Sequence, residues 1–139
     1  MSLIDMTQFD RIGPYTDHDS RTYGRTEACE EVESELASRR SALDESAVAV
    51  RRFGEGSVVV GITGPVDRPT ARRIGVLLRS LRPFSTRELV LTFVLLGPWD
   101  PQLARVIGQA RVHHLIDGGR LDLHHAPTEM FTAVGAPAA

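Results

Sequence analysis

From Ala47 onward the chain carries two alternating kinds of apolar pattern; before Ala47 neither is sustained for long. Ala47 to Phe53 is a short strand-like run closed by Gly54-Glu55-Gly56, and Ser57 to Ile62 follows with three consecutive valines. Two such runs around a glycine turn predict a hairpin. Unbroken rather than alternating apolar character predicts a strand covered on both faces. Ile74, Leu77, Leu78 and Leu81 then fall at i, i+3, i+4 and i+7, one face of a helix. Asp67 or Arg68 ends the loop before it, Pro69 suits its first turn, and Pro83 stops it. Leu89 to Leu96 is an almost continuous apolar run, hence a central strand, ended by Gly97-Pro98. Pro101 opens a second helix with Asp100 as candidate cap and Leu103, Val106, Ile107 and Ala110 as its buried stripe. Past Gly118-Gly119, Leu121 to His124 is a short strand, and Pro127-Thr128-Glu129 opens a last helix around Met130 and Val134. The predicted order is β-β-α-β-α-β-α. The hairpin sets its first strand antiparallel to its second, and helical crossovers set the rest parallel. The fold class is therefore α/β, a mixed β-sheet with helices packed on one face, and there is no internal repeat.

The amino-terminal third differs. The first 25 residues are polar and punctuated by Gly13-Pro14 and Gly24, so they read as a flexible arm. Within residues 26–40 a short helix is predicted. Thr26 caps it, glutamates crowd its start, and Arg39 and Arg40 sit at its end, all in the sense its dipole favours. Cys29, Val32 and Leu36 make a narrow apolar stripe, which leaves three readings open: the helix docks on the domain, pairs with a second copy, or frays. The division expected is an acidic arm over 1–46 and a folded domain over 47–139.

Charge reinforces that division. Residues 1–48 hold 11 Asp or Glu and 5 Arg, a net of −6, and residues 49–139 hold 7 and 11, a net of +4, which sum to the −2 of the whole chain. An overall charge this small argues against nucleic-acid binding driven by bulk charge. The acidic helix is expected either to present a solvated face or to fold back over the positive body and mask it. Every basic residue other than the five histidines is arginine. The single cysteine, Cys29, cannot close an internal disulfide, and its glutamate neighbours disfavour a reactive thiolate. No segment approaches the ~20 apolar residues a bilayer span requires, so no membrane association and a cytoplasmic location are expected.

Catalytic and ligand-holding signatures are missing. There is no glycine-rich phosphate loop, no Ser/His/Asp arrangement and no zinc spacing. His113-His114 and His124-His125 are adjacent pairs, which diverge by ~100° on a helix and point to opposite faces on a strand. No metal, no cofactor and no enzymatic activity are therefore expected.

Several short motifs, in register, carry a resemblance. Gly64-Pro65-Val66-Asp67 matches a Gly-Glu-Leu-Asp turn, Glu88-Leu89-Val90-Leu91 a central strand, and Gly118-Gly119-Arg120-Leu121-Asp122-Leu123 a Gly-Gly-x-Leu-x-Leu strand start. In these features residues 47–136 resemble a STAS domain, the fold of bacterial anti-sigma-factor antagonists and of the cytoplasmic tails of sulfate transporters. The family's Asp-Ser-Ser-Gly motif, which carries a phosphorylated hydroxyl at the start of the second helix, aligns without a gap to Asp100-Pro101-Gln102-Leu103. Both hydroxyls are absent, and Thr92 stands where the family usually has Asp.

The resemblance implies a regulatory protein-interaction module whose partner is an anti-sigma factor or kinase, or a related signalling protein. Its contact surface would comprise Asp67, Arg68, Trp99, Asp100, Pro101, Gln102 and Arg105. A phosphate brings about −1.5 to −2 charges into such a surface and ejects the partner. Neither Pro101 nor Gln102 can accept one, so the surface is expected to stay in one state. Thr70 is the nearest substitute hydroxyl, although a capping role suits it better. Two alternatives remain: a scaffold subunit of a homo- or hetero-oligomer, built on an edge strand or the Val32/Leu36 helix, and a binder of a nucleotide or lipid.

Overall fold

A computed structural model describes residues 2–5, 24–39 and 46–135. Five strands form one mixed sheet in the order β1-β2-β3-β4-β5: β1 Ser2–Asp5, β2 Ala47–Arg52, β3 Ser57–Val66, β4 Glu88–Trp99 and β5 Arg120–His124. The hairpin β2–β3 is antiparallel, and β3–β4 and β4–β5 are parallel. Helices α2 (Arg68–Ser80), α3 (Pro101–Ile116) and α4 (Thr128–Val134) follow β3, β4 and β5 in turn, and α1 (Arg25–Arg39) precedes β2. The predicted β-β-α-β-α-β-α order over residues 47–134 is the observed one.

The main core lies between the sheet and α2, α3 and α4. Val58, Val60, Ile62, Leu89 and Leu91 project from the strands and are fully buried, as are Ile74, Leu103, Ile107 and Met130 from the helices. Each large aliphatic side chain withdrawn from water in this way contributes ~1.5–3 kcal/mol.

The opposite face is not bare. Ala28, Cys29, Val32 and Leu36 of α1 pack on Ala47, Ala49, Val59 and Val90. The sheet is therefore covered on both sides, with three helices on the expected face and α1 on the other. The helix expected over 26–40 forms as Arg25–Arg39 and, of its three readings, docks on the domain; the flexible-arm reading of the first 25 residues is corrected at Ser2–Asp5, which pair antiparallel with β2. The physical reasons are a narrow apolar stripe that meets an apolar strip of sheet, and an open β2 edge with backbone groups to satisfy. The rest of the arm, residues 6–23 and 40–45, lies outside the described residues.

Gly61 is what lets α1 approach. A β-carbon at Gly61 would lie 2.7 Å from Leu36 Cδ1 and closer still to Val32 Cγ1. Ion pairs frame the contact. Arg25 reaches Asp122 at 3.0 Å and Glu88 at 3.4 Å, Glu31 meets the buried Arg51 at 3.2 Å, and Glu33 accepts from Thr92 Oγ1 at 3.1 Å and pairs with His125 Nε2 at 3.0 Å. Of the two readings for the acidic helix, folding back onto basic groups is the one observed for Glu31 and Glu33. Glu27 and Glu30 face solvent.

Candidate functional site

The parallel strands β3 and β4 outrun their neighbours. β2 pairs with β3 only as far as Thr63, and β5 pairs with β4 only as far as Thr92. Beyond those points Gly64–Val66 and Val94–Trp99 continue as a two-stranded extension, with Gly64 opposite Leu96 and Val66 opposite Trp99. The register shifts twice, because β4 spends extra residues there. Extra residues in one strand bend it and re-aim its side chains. Leu95 is one of them. Its φ is +52°, and it is 53% exposed. A leucine in the left-handed region carries a backbone cost of order 1–3 kcal/mol, which the surrounding structure must overcome.

This extension delivers the chain into α2 and α3. Asp67 caps α2: its Oδ1 accepts from Thr70 N at 2.9 Å. Hydrogen bonds from the Thr70 hydroxyl and backbone hold the Asp67 carboxyl below its ordinary value. Asp100 caps α3 by accepting from Gln102 N at 2.8 Å. The backbone N–H of Asp100 donates to the Val66 carbonyl at 2.8 Å, which ties the two loops side by side. Two capped helix amino-termini therefore sit together at the carboxyl ends of parallel strands, where open α/β sheets generally present binding sites.

The structure gathers the sequence-predicted residues in this region. Asp67, Arg68, Pro101 and Arg105 are exposed, and Asp100 and Gln102 are half-buried. Trp99 is also half-buried, packed against the end of the main core while keeping part of its surface in water. Leu103, the last of the four aligned positions, is fully buried. The first turn of α3 thus begins with exposed Pro101 and half-buried Gln102, neither of which carries a hydroxyl. Thr70 has its hydroxyl engaged with the Asp67 cap. Leu95 is the residue that sequence reasoning missed. Nothing in the apolar run Leu89–Leu96 marks where the ladder slips, so Leu95 reads there as one more core residue.

The histidines have separate partners. His114 is buried, with Nδ1 donating to the Ala110 carbonyl at 2.8 Å and Nε2 3.0 Å from Ser85 Oγ. His124 Nε2 lies 2.7 Å from Arg25. Among the described residues no group of three or more His, Cys, Asp or Glu is placed to hold a metal ion. Burial first, and then Glu33, push the Cys29 thiol up to about 11. Among the described residues no helix is long and apolar enough to cross a membrane.

No family model matches the chain, and no curated protein matches it. Among solved structures, one described as "Crystal Structure Analysis of Mglu" is similar at a TM-score of 0.49 and 24% identity, over 58% of this chain. The similar region spans 19% of that structure's own chain.

Proposed function

We propose that this chain is a non-enzymatic protein-interaction module of the anti-sigma-factor-antagonist type, set permanently in its docking state. Its partner is an anti-sigma kinase or a related signalling protein, met in the cytoplasm. The reading draws on the STAS resemblance of residues 47–136. The observation that carries it is the pair of capped helix tips, tied together at Asp100 and Val66, with Pro101 and Gln102 where a phosphoacceptor would stand. Trp99 and Leu95 supply apolar area, Arg68 and Arg105 steer an acidic partner, and Asp67 and Asp100 hold the loops.

The test is a pull-down from native cells with the intact chain, repeated with Leu95→Asp and Asp100→Ala. One protein kinase or its relative should be captured, and each variant should weaken capture by about tenfold, as loss of a central contact does. Incubation with that partner and ATP should leave residues 100–103 unmodified by mass spectrometry. Capture that both variants leave intact, or phosphate elsewhere that releases the partner, defeats the proposal.

A further inference from the structure

The two outer surfaces of this molecule carry opposite charge. Helices α2 and α3 together hold six arginines, at 68, 72, 73, 79, 105 and 111, and no Asp or Glu. Helix α1, across the sheet, holds five Glu against two Arg. Charge is thus sorted between two sides of one domain, although the whole chain has a net of only −2.

The basic side also has a shape. Between α2 and α3 lies a shallow groove lined by Gly75, Leu78, Val106 and Ala110 together with the polar Arg79, Gln109 and His113. Val76 on α2 and Val112 and Ile116 on α3 are exposed large apolar residues, at 43%, 51% and 76%. Four of the five exposed large apolar side chains among the described residues lie on these two helices. A cationic, partly apolar groove between two helices suits a third helix that brings carboxylates and small side chains. The outward ridge of α1 has that composition: over residues 25–37 its exposed positions are Thr26, Glu27, Glu30, Ser34 and Ala37, which share one face.

We infer that the α2–α3 groove docks the outer face of α1 from a second copy of this chain. The contact is head-to-tail, because groove and ridge lie on opposite sides of the sheet. Each copy therefore offers one free groove and one free ridge, and association continues beyond a dimer. It leaves the α1 stripe of Val32 and Leu36 in its own molecule, so it does not use the pairing through that stripe considered from sequence. It is also independent of the docking tip at Leu95 and Asp100.

Exposed ion pairs are individually weak and screened by salt, so the assembly is loose and ionic. Sedimentation of the full chain in ~20 mM salt should give a mass that rises with concentration past the dimer, and in ~0.5 M salt the monomer mass. Glu27→Arg/Glu30→Arg and Arg72→Glu/Arg79→Glu, one on each side, should each weaken association by about tenfold or more. Leu95→Ser should leave it unchanged. Under mild oxidation, Glu30→Cys mixed with Gln109→Cys should give a cross-linked pair that neither variant forms alone. A monomer at every concentration in low salt overturns the inference. So does a dimer that stops growing, a Glu30→Cys product that forms without its companion, or loss of association in Leu95→Ser.

Discussion

The two faces of the sheet are sealed by different physics. Under α2, α3 and α4 the strands present Val, Ile, Leu and Phe almost without interruption, and three helices answer with aliphatic side chains. Under α1 the same strands present Ala47, Ala49, Val59 and Val90 among Arg51, Thr92, Asp122 and His124. One 15-residue helix covers them with four apolar residues and a set of ion pairs. The first face determines whether the domain folds at all. The second is thin enough to open on its own, since local stability follows the apolar contacts that a segment makes.

The largest expected effect tests that contrast directly. Ile107→Ala removes a fully buried side chain from the main core and should cost ~2–5 kcal/mol of global stability. Leu36→Ala removes an equally buried side chain from under α1. Its cost in urea unfolding of the domain should be smaller by at least ~1 kcal/mol, because α1 can leave while the main core stays closed. Equal costs, with an unchanged denaturant slope, would make α1 part of one cooperative unit with the main core.

The same contrast explains what the sequence disclosed. The main core was legible because Ile74, Leu77, Leu78 and Leu81 repeat at helical spacing and the runs at Ser57 and Leu89 are apolar on both faces. The cap of α3 was legible because Asp100 stands directly before Pro101 at the head of a periodic segment, whereas for α2 the sequence left Asp67 or Arg68 as the end of the loop and did not single out the cap. The docking of α1 was one of three open readings, because Cys29, Val32 and Leu36 are few and the surface that receives them alternates with charge. Nothing in the sequence marks Gly61 as a contact point, and only the packed structure shows what its missing β-carbon admits. The slip at Leu95 was hidden for a related reason: a bulge depends on the register of two strands, which neither strand carries by itself.

Next in size is a change that strikes only the second face. Gly61→Val places a branched side chain where Val32 and Leu36 now lie, while valine suits the strand itself. Expelling α1 should leave the remaining elements folded and expose residues 25–39 to limited proteolysis. Cys29 reports the event independently. With its thiol raised from 9.0 to about 11, it holds ~100-fold less thiolate near pH 8 than a free thiol would. Its labelling by a thiol reagent should therefore be slow in the parent chain and at least ~10-fold faster in Gly61→Val. Unchanged labelling would mean that α1 re-seats around the new side chain.

A smaller effect follows from His124. Burial, then the positive charge of Arg25, lower its proton affinity below the ordinary 6.5, with Asp122 and Glu33 acting the other way and His125 adding to the lowering. Glu88 and Arg120 complete the charged groups around Arg25 and Asp122. Because the folded value lies below the unfolded one, the group leaves stability untouched above 6.5. As pH falls past 6.5, the unfolded chain takes up a proton that the folded chain refuses, and stability declines until the lowered folded value is passed. His124→Gln should flatten that part of a stability-against-pH profile relative to the parent. An identical slope in both proteins would show that His124 is not held below its ordinary value, by burial or by Arg25, in solution.

The smallest change in stability accompanies the most direct test of the docking tip. Replacing Pro101-Gln102 with Ser-Ser keeps Asp100 as the cap, and the backbone N–H at position 102 can still donate to its carboxylate. Serine is tolerated in a helix's first turn, and losing the proline frees the unfolded chain by less than ~1 kcal/mol, so thermal unfolding should shift by only a few degrees. The substitution puts a hydroxyl at the exposed tip beside Arg68 and Arg105. Phosphate there gains from the amino-terminus of α3 but crowds the carboxylates of Asp67 and Asp100. If a kinase partner modifies the variant and then releases it, while the parent stays bound under the same conditions, the missing hydroxyl is what fixes this surface in one state. If the phosphorylated variant stays bound as tightly as before, the partner does not dock over the first turn of α3, and the proposed docking surface must be moved elsewhere on the molecule.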